Sequence, residues 1–156
     1  MTADSNDDLE RLYAARRDVL LGAATTITGS AEEAKDIVQE AFARLYENRA
    51  AVRNPEAVVN TIVAHLSIDF HRRQQSEARK IEREMRNIKD SLTTSDHSYI
   101  LDLLDNLLEA EREFILLTVV LGLEVKQVAD LLRRPAAEIS REKYRGLRKL
   151  NVRWSE

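Results

Sequence analysis

Residues 128–150 read VADLLRRPAAEISREKYRGLRKL. Val128, Ala129, Leu131 and Leu132 give one short helix an apolar side, and Arg133-Arg134-Pro135 breaks it. A second helix starts at Pro135, because proline at a first helical position lacks only an N–H that would have had no partner. From Arg133 to Arg153 there are eight Lys and Arg against two acids, Glu138 and Glu142, a local balance of +6 in a chain whose net charge is −3. A basic helix behind a short helix and a tight turn suits the DNA major groove, where cations meet phosphates and the helix N-terminus meets base edges. Ile139, Leu147 and Leu150 then face inward, and Gly146 allows close approach. Arg134, Ala137, Ser140, Arg141, Tyr144, Arg145 and Arg148 are left for the outer, DNA-facing side. A solvated basic face on an ordinary bundle helix accounts for the same pattern, and spacing alone does not separate the two. Arg133 also stands where glycine is usual, and no Ser, Thr or Asp caps the second helix. Positive φ at an arginine costs about 1 kcal/mol, which predicts a wider or differently shaped turn.

Upstream, spacings of three and four mark further amphipathic helices. The first runs from Asp7 to Thr28, with Leu9, Leu12, Tyr13, Val19, Leu20, Ala23, Ala24 and Ile27 on one side. Ser30 followed by Glu33 is a capping-box pattern and opens a second, Ala31 to Asn48, whose apolar side is Ala34, Ile37, Val38, Ala41, Phe42 and Leu45. Asn54-Pro55 opens a third, which carries Val58, Val59, Ile62, Val63, Leu66, Ile68 and Phe70, turns basic at Arg72-Arg73 and extends to Ile88. Residues 87–98, NIKDSLTTSDHS, are the most polar stretch and read as a linker. Beyond it helices are expected at 99–108, 109–121, 125–132 and 135–151, with Gly122 placed where a helix end wants positive φ. With only 4 Gly and 2 Pro and no period-two alternation, the expected fold is all-α. It divides into two small helical domains, residues 1–88 and 99–156, joined by a flexible linker at 89–98, with a helix-turn-helix in the second.

Composition excludes more than it locates. There is no cysteine, hence no disulfide, thiolate zinc site or cysteine nucleophile. No run approaches a membrane span, and the acidic start, residues 1–10, is unlike a secretory signal, so a cytoplasmic location is expected. His65 and Asp69 share a helix face, but His71 and His97 do not complete a metal set. No glycine-rich phosphate loop or serine–histidine–acid constellation is present. No catalytic residue, metal site, cofactor or small-molecule substrate is expected, and Trp154 reads as a packing anchor.

Three stretches together resemble the extracytoplasmic-function sigma factors, the promoter-specificity subunits of bacterial RNA polymerase. AEEAKDIVQEAFARLY (31–46) resembles the family's polymerase-binding helix, and NPEAVVNTIVAHLSIDFHRR (54–73) its promoter-melting helix. LGLEVKQVADLL (121–132) with the basic helix after it resembles the module that reads the upstream promoter element. TTITGSAEEAKDIVQEAFARL (25–45), the short length and the non-acidic AHLSIDFHRR (64–73) are most similar to the iron-starvation group. The resemblance implies that Asp36, Gln39 and Glu40 contact the clamp coiled coil of core polymerase, with Phe42 and Ile37 supporting the helix. It implies a flap contact for the C-terminal domain and downstream promoter contacts at Asn60, His65, Asp69, Arg72 and Arg73. It further implies control by an anti-sigma factor at the inner membrane, responding to iron or a siderophore. The chain departs from the family at Val58-Val59-Asn60-Thr61, where Trp-Leu-Tyr-Arg is usual, and at Ala64-His65, where a basic or polar pair is usual. Stacking and charge for holding melted DNA are both reduced there, so melting is expected to be weak or restricted to particular promoters. Two rivals remain open: a sigma-like adaptor or decoy that binds polymerase or an anti-sigma factor without initiating, and a helix-turn-helix repressor that dimerises through its first domain.

Overall fold

A computed structural model describes residues 2–77 and 107–154. Residues 99–106 of the expected helix at 99–108, the extension over 78–88 and the linker at 89–98 lie outside the described residues, as does the Trp154 side chain.

Every regular element among the described residues is helical. Helix α1 spans Thr2–Thr28, α2 Ala31–Glu47 and α3 Pro55–Glu77, with one 3-10 turn at Arg49–Ala51. The α1–α2 break is held by side chains: Thr28 Oγ1 accepts from Ser30 N at 3.1 Å, and Ser30 Oγ accepts from Glu33 N at 3.1 Å. The second bond is the serine half of the expected capping box. Asn54 Oδ1 accepts from Ala57 N at 3.2 Å and caps α3 in the same way. Leu20, Ala23, Ala24, Ala34, Val38, Ala41, Leu45, Val59, Val63, Ala64 and Ile68 are nearly inaccessible and form the centre of this three-helix group. Its alanines let the helix backbones approach closely.

The second group begins with α4, Glu109–Ile115, which widens into a π-helical turn at Leu116–Val120. Leu108 is not helical but precedes α4, so the expected helix at 99–108 does not reach it. Helix α5 spans Val125–Leu132 and α6 Ala136–Trp154. Gly122 has φ 71° and ends the π turn, as the sequence requires. Phe114, Ile115, Leu116, Leu117, Leu121, Val128 and Ile139 are buried here.

The turn before α6 corrects the sequence expectation. Arg133 adopts the left-handed conformation itself, φ 57° and ψ 46°, so the turn is tight rather than widened. Arg134 N donates to Ala129 O at 3.1 Å, the bond that closes such a helix end and offsets the strain. Pro135 precedes α6 instead of opening it: its carbonyl accepts from Glu138 N at 3.1 Å and Ile139 N at 3.3 Å, the role of a capping residue.

The two groups touch. Helices α1 and α3 pack on the π turn and on α5, and the buried residues of both groups form one apolar cluster.

Candidate functional site

The basic helix α6 is fixed from beneath. A Cβ added at Gly146 would sit 2.3 Å from Ile115 Cδ1 and 3.3 Å from Glu111 Cβ, so α6 lies against α4 at a distance only glycine permits. Glu111, 1% exposed, reinforces that contact: Oε1 accepts from Leu108 N at 3.0 Å and from Lys149 Nζ at 2.7 Å. Burial alone would raise its pKa, but the Lys149 and Leu108 hydrogen bonds, with Lys149 and Arg145 charge, hold it below the ordinary value. Ile139 is buried, with Leu147 and Leu150 partly so, as the periodicity requires.

The opposite face of α6 is open. Ala137, Ser140, Arg141, Tyr144, Arg145 and Arg148 are all exposed, Tyr144 at 63%, and the Arg148 guanidinium lies 5.8 Å from the centre of the Tyr144 ring. Arg134, also exposed, pairs with Glu138 at 2.9 Å. Glu142 draws on two of the basic groups, with Arg145 at 3.2 Å and Arg141 at 3.8 Å.

Helix α2 presents an acidic-polar face. Asp36, Gln39 and Glu40 are exposed while Ile37 and Val38 between them are buried. Glu40 Oε2 accepts from Arg44 Nε at 2.8 Å. Phe42 is half-buried and meets the Tyr13 ring edge-on, centroids 5.0 Å apart. With Leu9 and Tyr46 these rings line an apolar groove between α1 and α2.

Helix α3 distributes its candidates unevenly. His65, Asp69 and Arg73 are exposed. Asn60 is 7% exposed and accepts from Arg16 Nη2 at 3.3 Å. Arg72 is half-buried and donates to the carbonyl of Leu131. Ala64 is completely buried in the three-helix core, which explains the small residue at that position: a basic side chain would have to enter the packing. Between α3 and the second group lies a cleft of about 410 Å³ lined by His71, Arg72, Glu113, Phe114 and Arg134 among others. Burial pushes the Glu113 carboxyl above its usual pKa, and Glu109 adds to this; His71, Arg134 and Arg72 oppose it.

Sequence reading missed Arg16 and Glu111. Nothing local marks a lone arginine on an amphipathic helix, whereas Glu111 stands three residues after a helix boundary, a capping-box spacing hidden by a leucine in the serine position. Among the described residues no group of three or more His, Cys, Asp or Glu is placed to hold a metal ion, and no helix is long and apolar enough to cross a membrane.

Residues 12–77 match the family model for sigma-70 region 2. The match begins within α1 and ends with α3, so it covers the helices that carry both the acidic face and the Asn60–Arg73 row. No curated protein sequence matches the chain. Among solved structures, one described as "Structure of CnrH in complex with the cytosolic domain of CnrY" is similar at a TM-score of 0.53 and 17% identity, covering 99% of this chain and 94% of that one. That likeness concerns the fold.

Proposed function

We propose that this chain is an extracytoplasmic-function sigma factor that binds core RNA polymerase and directs it to promoters. The match of residues 12–77 to sigma-70 region 2 carries the reading. Asp36, Gln39 and Glu40 on the exposed face of α2 meet the basic clamp coiled coil, where negative charge has a partner. Helix α6 reads the upstream promoter element through Arg134, Ala137, Ser140, Arg141, Tyr144, Arg145 and Arg148. Helix α3 holds the downstream element through Asn60, His65, Asp69, Arg72 and Arg73. Residues 1–88 and 99–156 act as separate domains, one per promoter element. A chain of net charge −3 can do this because the polymerase supplies most of the phosphate-binding surface, leaving this chain to contribute specificity. The work is recognition rather than catalysis and takes place in the cytoplasm.

Control by an anti-sigma factor belongs to the same proposal. It is supported by the fold shared with CnrH, whose structure was solved in complex with the cytosolic domain of CnrY. The finer placement in the iron-starvation group rests on the wording of residues 25–45 and 64–73 and on the short length.

Gel filtration with purified core polymerase tests the reading. Co-elution that weakens by at least about tenfold in affinity, about 1.4 kcal/mol, when Asp36→Arg or Glu40→Arg is introduced supports it. A dimer that ignores polymerase supports the repressor. The adaptor reading has two specific observations in its favour, the burial of Asn60 and the engagement of Arg72; it predicts co-elution without promoter-specific transcripts.

A further inference from the structure

The cleft of about 410 Å³ beside α3 is large enough for a small molecule and combines an apolar base with charged walls. Ile68 and Phe114, each 1% exposed, form the base together with Ala110 and Leu132. The charges come from three elements: Glu109 and Glu113 one turn apart on α4, Arg72 on α3, and Arg134 in the turn before α6. The Arg134 guanidinium stands over the base, 6.0 Å from the centre of the Phe114 ring. His71 completes the rim, its Nε2 3.1 Å from the amide nitrogen of Gln75.

Glu113 is the group that the fold leaves unmatched. Among the described residues it accepts no hydrogen bond and enters no ion pair. Burial pushes its carboxyl up, and the His71, Arg134 and Arg72 charges that oppose this do so without a hydrogen bond to it. A carboxylate held out of water without a donor is costly, and an ammonium would bring it three donors and the opposite charge. Arg72 and Arg134 offer the converse. Arg72 donates to Leu131 O and Arg134 to Glu138 Oε1 at 2.9 Å, one bond each from side chains that carry five N–H groups in a fork shaped for a carboxylate.

The signs of these charges select the occupant. His71 aside, the two guanidiniums and two carboxylates cancel, so a simple anion meets both glutamates and a simple cation meets both arginines. A molecule with one charge of each sign finds a partner for both, and the base accepts an apolar body. We propose that the cleft binds a free amino acid with an apolar side chain, its ammonium on Glu113, its carboxylate on Arg134 and Arg72, and its side chain against Phe114 and Ile68. The site is independent of whether α3 and α6 meet DNA.

Titration of the full chain with L-leucine, followed by backbone amide NMR shifts, tests this. Isocaproate and isoamylamine carry the same hydrocarbon without the ammonium or without the carboxylate. L-Leucine should bind with a Kd of about 1 mM or tighter, with the largest shifts at residues 71–75, 109–114 and 132–134. The two truncated ligands should bind at least about tenfold more weakly, the loss of one charge-assisted pair. Glu113→Gln, which keeps the shape of the side chain, should weaken L-leucine about tenfold and leave isocaproate unchanged. Arg134→Gln should weaken L-leucine and isocaproate and leave isoamylamine unchanged. Circular dichroism shows whether each variant is folded, and the three-ligand comparison on the native chain decides the matter where one is not. A native chain that ignores L-leucine at about 10 mM overturns the proposal, as does one that binds the three ligands alike. So does a folded Glu113→Gln chain that binds L-leucine as before, or that loses L-leucine and isocaproate equally.

Discussion

Lys149 Nζ lies 2.7 Å from Oε1 of Glu111, a carboxylate that is 1% exposed although Lys149 itself remains half in solvent. The pair ties the far end of the basic helix to the start of α4. The Glu111 pKa is depressed, so its contribution to folding is present above the unfolded pKa and is lost as pH falls through the folded value. Urea unfolding across the acidic range should show this loss, and Glu111→Gln should flatten it. Lys149→Met, which leaves the buried carboxylate without its cation, should destabilise at neutral pH by about 2 kcal/mol.

Gly146 sets how closely α6 lies on α4. Gly146→Ala drives a methyl into Ile115 Cδ1 and should cost about 1–3 kcal/mol. Ile115→Val removes that atom, so the double variant should recover part of the loss and give a clear non-additivity in a denaturant-based cycle.

Arg133 carries left-handed strain that glycine would not. Arg133→Gly should raise stability by up to about 1 kcal/mol, seen as a higher denaturant midpoint at unchanged slope. The gain is capped by the greater freedom glycine gives the unfolded chain.

Glu142 neutralises charge on the exposed side of α6, the side proposed to face DNA. Glu142→Gln frees Arg141 and Arg145 from their ion pairs and should raise affinity for promoter fragments about three- to tenfold at low salt, with a steeper salt dependence. Equal affinity over a salt titration would show that α6 does not approach phosphate at these positions.

The helix pattern was legible wherever a side chain must be buried or a backbone group capped: Ser30, Asn54, Gly122 and Gly146 each occupy the role their type and spacing require. The turn at Arg133 was misread because propensity penalises an arginine at positive φ, while the local hydrogen bond from Arg134 to Ala129 offsets that penalty. Pro135 was displaced by one position because a proline carbonyl caps as readily as a proline ring opens a helix. Asn60 and Arg72 could be placed on α3 from spacing, but their partners lie far along the chain, Arg16 44 residues from Asn60 and Leu131 59 residues from Arg72, beyond any local pattern. Ala64 looked like a lost polar contact and is a core residue, because the packing of three helices, not the order of residues in one, decides which side of α3 is inside.

Transcription initiation by this chain, as proposed, is tested most directly by run-off transcription with purified core polymerase on a library of genomic fragments. Discrete transcripts that require the chain and are lost with Asp36→Arg are expected. Core polymerase that binds the chain yet yields only the transcripts it makes alone would contradict it.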